Sequence, residues 1–116
     1  MTVSGEWRCD VEELPPGRTA TFRLTCGGRT VHGFAINHEG RAYAYVNACP
    51  HVGTSLDLFP NEFLAEDGRT IVCSTHGALF EPDSGDCIAG PCAGDRLTPL
   101  PVRLEGQAVV VSCGEP

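Results

Sequence analysis

Cys49-Pro50-His51-Val52-Gly53 and, further on, Cys73-Ser74-Thr75-His76-Gly77 are the two segments around which this 116-residue chain is organised. Each offers one thiolate and one imidazole at close spacing, so Cys49, His51, Cys73 and His76 form a four-ligand set of mixed type. Two chemistries fit. A tetrahedral zinc ion accepts two sulfurs and two nitrogens. A cluster of two irons and two sulfides would take the thiolates on one iron and the imidazoles on the other. Spacing bears on the choice, because structural zinc sites usually gather cysteines in one knuckle and histidines in another, whereas each segment here mixes the two. Two parallel loops, each sending a cysteine inward and a histidine outward, would build a centre with a sulfur end and a nitrogen end. The chain therefore predicts a metal centre at the tip of a small β domain.

The flanking sequence supplies the β scaffold. Residues 6–11 read as an edge strand with Trp7 packing beneath the sheet, and Pro15-Pro16-Gly17 forces a turn. Ala20, Phe22 and Leu24 alternate along 19–24, and Gly27-Gly28 marks a hairpin into 31–36. A turn at Asn37-His38-Glu39-Gly40 leads into 42–46, which completes a three-strand meander and indicates an antiparallel all-β fold. Past Ala48 the pattern shifts to turns and short apolar pieces, with strands expected at 70–73 and 78–80 and a return at 88–91. Residues 97–104 and 108–112 read as strands joined at Glu105-Gly106-Gln107, with Val109, Val110 and Val111 the most buried. His32 and His38 fall on this scaffold and read as surface or satisfied histidines.

Composition narrows the function. No run approaches the roughly 18 apolar residues of a membrane span, and residues 1–10 lack a basic-then-apolar leader, so a soluble, non-exported, cytoplasmic protein is expected. The seven cysteines are odd in number, which with no leader argues for reduced thiols. Cys9, Cys26 and Cys113 read as small buried hydrophobes in or beside strands. Cys87 and Cys92 lie in the loop that should approach the centre, and a bridge between them stays open. A net charge of −7 excludes a nucleic-acid partner, which needs a basic face. Residues 48–93 hold seven acids against Arg69 alone, a one-signed field able to steer a basic partner. No glycine-rich phosphate loop follows a strand, and Ser74 is explained by the ligand loop rather than as a nucleophile.

On these segments the chain resembles the Rieske family, whose pattern is Cys-x-His-x-Gly followed by Cys-x-x-His-Gly. Ala78-Leu79-Phe80, the turn Asp83-Ser84-Gly85 and the covering loop Gly90-Pro91 extend the likeness. The 21 residues between His51 and Cys73 exceed the usual interval, so the region around 59–67 reads as a surface insertion. The resemblance implies a [2Fe-2S] cluster held by Cys49, His51, Cys73 and His76. It implies a single domain: an antiparallel β base, sandwich- or barrel-like, from 1–47 and 94–116, with an inserted cluster-binding lobe at 48–93. Pro50, Val52, Leu79 and Pro91 would form an apolar collar around partly exposed imidazoles.

Respiratory-chain members of the family carry a disulfide between the ligand loops and two hydroxyl donors to the cluster sulfurs. Here the loop positions are Thr54 and Thr75, and the hydroxyl positions are Ala78 and Phe80. The expected potential therefore lies near the lower end of the roughly −150 to +300 mV Rieske range. The implied function is a one-electron carrier, a Rieske ferredoxin passing electrons from a reductase to a terminal oxygenase or similar enzyme, with no catalysis of its own. Two alternatives stand beside it: a Rieske small subunit of a larger, nitrite-reductase-like enzyme, and a zinc-stabilised interaction module.

Overall fold

The computed structural model describes residues 5–15, 17–48, 56, 63–64, 70–73, 77–90 and 94–113. The chain divides into two compact units, Met1–Val46 with Pro99–Pro116, and Asn47–Thr98. The described elements are antiparallel strands and one 3-10 turn, Val11–Glu13.

The first unit is a pair of sheets. Strands β2 (Thr19–Cys26), β3 (Arg29–His38) and β4 (Arg41–Val46) form the expected meander. The β2–β3 turn is Gly27-Gly28, and Glu39-Gly40 turns β3 into β4, all four residues with positive φ. Such two-residue turns carry the twist that antiparallel neighbours need. Gly40 also donates its N–H to the Asn37 Oδ1 at 2.9 Å, fixing the second turn. The other sheet sets β1 (Glu6–Asp10) beside β10 (Ala108–Ser112), which pairs in turn with β9 (Val102–Glu105). Strand β1 stops at Asp10, one residue before the sequence suggests, because its carboxylate accepts from the Glu12 N–H and starts the 3-10 turn.

Period-2 alternation places Phe22, Leu24, Ala35, Ala44, Leu100 and Val111 on facing inner surfaces, where they form one buried cluster with Leu14. The Phe22 ring closes the centre. A Cβ at Gly33 would stand 2.6 Å from that ring, so only glycine leaves it room. Trp7 of β1 stacks on Phe22, with centroids 4.7 Å apart. Val109, Val110 and Val111 are all buried, as expected. Val110 points away from the inner cluster, in register between Arg8 and Arg103, whose aliphatic stems share its face.

Two expectations fail here. Residues 97–104 are not one strand: β8 (Pro99–Leu100) pairs with β4 in the four-stranded sheet, and β9 joins the three-stranded one. Pro101 lies at the break, lacking the N–H that a continuous ladder requires. Its carbonyl accepts from Ser112, which draws the chain into the second sheet. Cys26 and Cys113 are not reduced thiols but a disulfide, with Cα atoms 5.8 Å apart and 87 positions between them in sequence. Cys9 keeps its bland role. It is half-buried, and burial first, then the Glu13 and Asp10 carboxylates, push its thiol pKa up.

The second unit holds the three-stranded sheet β5 (Ile71–Val72), β6 (Leu79–Phe80), β7 (Cys87–Ala89), with a bulge where β7 meets β6. Residues 95–97 tie back to it through Cys87 N–H to the Asp95 carbonyl at 2.9 Å and Leu97 N–H to the Gly85 carbonyl at 2.8 Å. The reading of 59–67 as a surface insertion fails at Phe63, which is 0% exposed. Its carbonyl accepts from Val72 at 2.8 Å, and Leu64 bridges to Ile71. An apolar ring so enclosed is part of the unit's core.

Candidate metal centre

Cys73 leaves β5 and is fully buried. Its N–H donates to the Ala78 carbonyl at 2.9 Å, and its own carbonyl accepts from Gly77 at 2.7 Å. These two bonds close a short loop between β5 and β6, spanning the sequence Ser74-Thr75-His76. Ala78 and Phe80, next along the chain, are also fully buried, and neither carries a hydroxyl. The hairpin from β6 to β7 is held by Glu81 N–H to the Asp86 carbonyl at 2.9 Å and Gly85 N–H to the Glu81 carbonyl at 2.7 Å. It contains the expected Asp83-Ser84-Gly85 turn, and Ser84 Oγ accepts from Asp86 at 3.3 Å.

Strand β7 ends against the ligand loop. A Cβ at Gly90 would stand 2.7 Å from the Ala78 Cα, so the backbone of the covering segment lies directly on the residue that follows the Cys73 loop. Gly90 adopts φ +101°, a second reason for glycine there. Cys87 is buried, and its Sγ donates to the Ala89 carbonyl at 3.3 Å. Leu56, another fully buried residue of this unit, donates its N–H to the Asn47 Oδ1 at 2.8 Å. Glu81, Asp83 and Asp86 are exposed, and Asp86 meets Arg96 at 3.9 Å, both side chains mostly in water.

Of the four ligands read from the sequence, Cys73 is placed, while Cys49, His51 and His76 lie outside the described residues. So do Thr54, Thr75, Cys92 and the collar residues Pro50, Val52 and Pro91; Leu79 is half-buried. The donor set fits an iron–sulfur centre at the one ligand position that is placed. A thiolate withdrawn from water is unfavourable unless a cation neutralises it, so the buried Cys73 in that form would take an iron there. His32 and His38 belong to β3 of the first unit, with His32 exposed and His38 at 3.8 Å from Glu39. A cleft of about 380 Å³ in the first unit, lined by Val11, Leu14, Ala42 and Leu104 among others, offers no comparable chemistry. Its Arg103 is held by Glu6 and Glu105 at 2.7 and 2.6 Å.

The family model for the Rieske [2Fe-2S] domain matches residues 6–105. The chain is 32% identical over 105 residues to the ferredoxin component of an alkene monooxygenase system from Xanthobacter autotrophicus, covering 89% of this chain and 76% of that protein. Its fold matches the ferredoxin of carbazole 1,9a-dioxygenase from Nocardioides aromaticivorans IC177 with a TM-score of 0.73 at 22% identity, over 96% of this chain and all of that one. A chain in a complex of reduced oxygenase and oxidised ferredoxin of carbazole 1,9a-dioxygenase matches with a TM-score of 0.72 at 22% identity, over 95% of this chain and 94% of that chain. At such identities the structural matches speak for the fold.

Proposed function

This chain belongs to the Rieske [2Fe-2S] domain family, and on that premise we propose that it is a Rieske ferredoxin, a one-electron carrier from a reductase to a terminal oxygenase. Family membership sets aside the zinc-stabilised module. The observation that carries the reading is the enclosed Cys73, set in a backbone-closed loop within a chain whose relative serves as the ferredoxin component of a monooxygenase system. The carrier does not oxidise substrate itself. No helix among the described residues is long and apolar enough to cross a membrane.

In this reading Cys49 and Cys73 hold one iron and His51 and His76 the other. When bound, the [2Fe-2S] cluster supplies a site that takes up and gives back one electron. The chain's own residues set how readily it does so. Ala78 and Phe80 present no hydroxyl, so they give no hydrogen bond to stabilise the negative charge that reduction adds, and the midpoint falls low in the family range. Gly90 seats closely on Ala78, which is fully buried.

Anaerobic purification, with iron and acid-labile sulfide each measured at two per chain and a visible spectrum bleached by reduction, is the expected result. Cys73→Ser then yields a colourless chain. Rapid mixing of the reduced protein with the terminal oxygenase should show transfer of one electron. A wild-type preparation holding only zinc, or a strongly positive midpoint, would overturn the corresponding part of this reading.

A further inference from the structure

The Cys26–Cys113 disulfide belongs to neither ligand loop, and the one-electron chemistry does not use it. Cys26 ends β2 in the four-stranded sheet, and Cys113 follows β10 in the three-stranded one. The bond therefore joins the two sheets of the first unit covalently. Both cysteines are partly exposed rather than enclosed, so a small thiol can reach them. Gly5 lies beside the sulfur of Cys113: the Cys113 N–H donates to the Gly5 carbonyl at 3.0 Å, and a Cβ at Gly5 would stand 3.6 Å from Sγ. Gly5 brings no side chain to that contact. Thr25 O lies 3.6 Å from the same sulfur, an acceptor for the S–H that forms once the bond opens.

We propose that Cys26–Cys113 is a second, two-electron redox site on this chain, a reversible fastening between the sheets whose co-substrate is a dithiol. The thiolate of the dithiol attacks Cys113 Sγ, forms a mixed disulfide and releases the Cys26 thiolate, which takes a proton. The second thiol of the reductant then displaces Cys113 as a thiol and leaves as a disulfide. Two electrons and two protons pass to the protein, and the reductant is oxidised by the same two electrons. Accessible disulfides in otherwise reduced proteins are commonly of this exchangeable kind. Opening frees the loop of 87 positions in the unfolded chain and raises its entropy, so the folded base loses stability without any change at the ligand loops.

The test uses the cluster-loaded protein, air-oxidised and then treated anaerobically with dithiothreitol under native conditions. Alkylation and peptide mapping should find Cys26 linked to Cys113 before treatment and both alkylated after it. The melting midpoint should fall by at least about 5 °C, and reoxidation should restore it; the visible spectrum, read in air after the thiols are alkylated and the dithiothreitol removed, should match that of the untreated protein. The double variant Cys26→Ser, Cys113→Ser should melt at the reduced value and ignore dithiothreitol. Should that variant fail to fold, the wild-type comparison still decides. The proposal is overturned if no linked peptide exists in the oxidised protein. It is equally overturned if the bond resists dithiothreitol until the protein unfolds, or if opening leaves the midpoint unmoved.

Discussion

Two side chains beside the ligand loop are defined by what they lack. Phe80 is fully buried four positions after His76, where respiratory relatives in the family carry a hydroxyl, and Ala78 occupies the other such position. A donor to a cluster sulfur stabilises the reduced state more than the oxidised one, because reduction adds negative charge, so adding a donor raises the midpoint. A net hydrogen bond of about 0.5–1.5 kcal/mol corresponds to roughly 20–60 mV for one electron. Phe80→Tyr is expected to raise the midpoint by that amount in a spectroelectrochemical titration; a fall would count against Phe80 facing the sulfurs. Gly90 gives a prediction of a different kind. A methyl there would press to 2.7 Å of the Ala78 Cα, a backbone atom that cannot swing aside, at a φ that L-residues avoid. Gly90→Ala should cost about 1–3 kcal/mol, read as a lower denaturation midpoint and faster loss of visible absorbance.

At the scale of strands, one aromatic contact and one charged network hold the three-stranded sheet. Trp7 stacks on Phe22, which itself lies over Gly33. Trp7→Ala removes the ring from β1 and should lower stability by about 2–3 kcal/mol in a denaturant titration, with the visible spectrum of the folded protein unchanged. On the outer face Arg103 donates to Glu6 at 2.7 Å and Glu105 at 2.6 Å, and these hydrogen bonds hold both carboxyls below the ordinary value of 4.5. A carboxyl lowered in the folded state adds stability at neutral pH that is withdrawn as pH falls below 4.5 through its folded value. Arg103 and Glu105 are exposed and Glu6 is only half-buried, so the effect is small. Arg103→Gln should flatten the acid side of a melting-temperature profile, lowering the midpoint more at pH 7 than at acid pH.

The same elements show what could be read in advance. The meander was legible because long alternating strands and paired-glycine turns signal themselves locally. Strands β5 and β6 are two residues each, too short to show a period, and were found only through the ligand motif between them. Residues 97–104 read as one strand because the apolar pattern runs through Pro101, and which sheet each half joins depends on partners far along the chain. Phe63 reads as loop because its short apolar run, Phe63-Leu64-Ala65, is flanked by Pro60-Asn61-Glu62 and Glu66-Asp67-Gly68. Cys26 and Cys113 could not be paired from sequence, since 87 intervening positions leave no local trace of their approach.

At the scale of the whole molecule the governing property is charge. The chain carries −7, and most of that excess falls between residues 48 and 93, the stretch that contains every proposed ligand. Glu81 and Asp83 are exposed there, on the hairpin between β6 and β7. A field of one sign around an electron-exit site speeds encounter with a partner of opposite sign and is screened over about 8–10 Å at ordinary salt. Electron transfer from the reduced protein to its oxygenase should therefore slow by about tenfold or more between low and high ionic strength. The double variant Glu81→Gln, Asp83→Asn should be slower at low salt and less sensitive to salt. Neutralising two exposed acids of the first unit, Glu12 and Glu13, should leave the low-salt rate close to wild type, because their field acts on a surface distant in sequence from any ligand. Equal slowing by the two double variants in stopped-flow measurements would mean that net charge, rather than where it sits, governs the encounter.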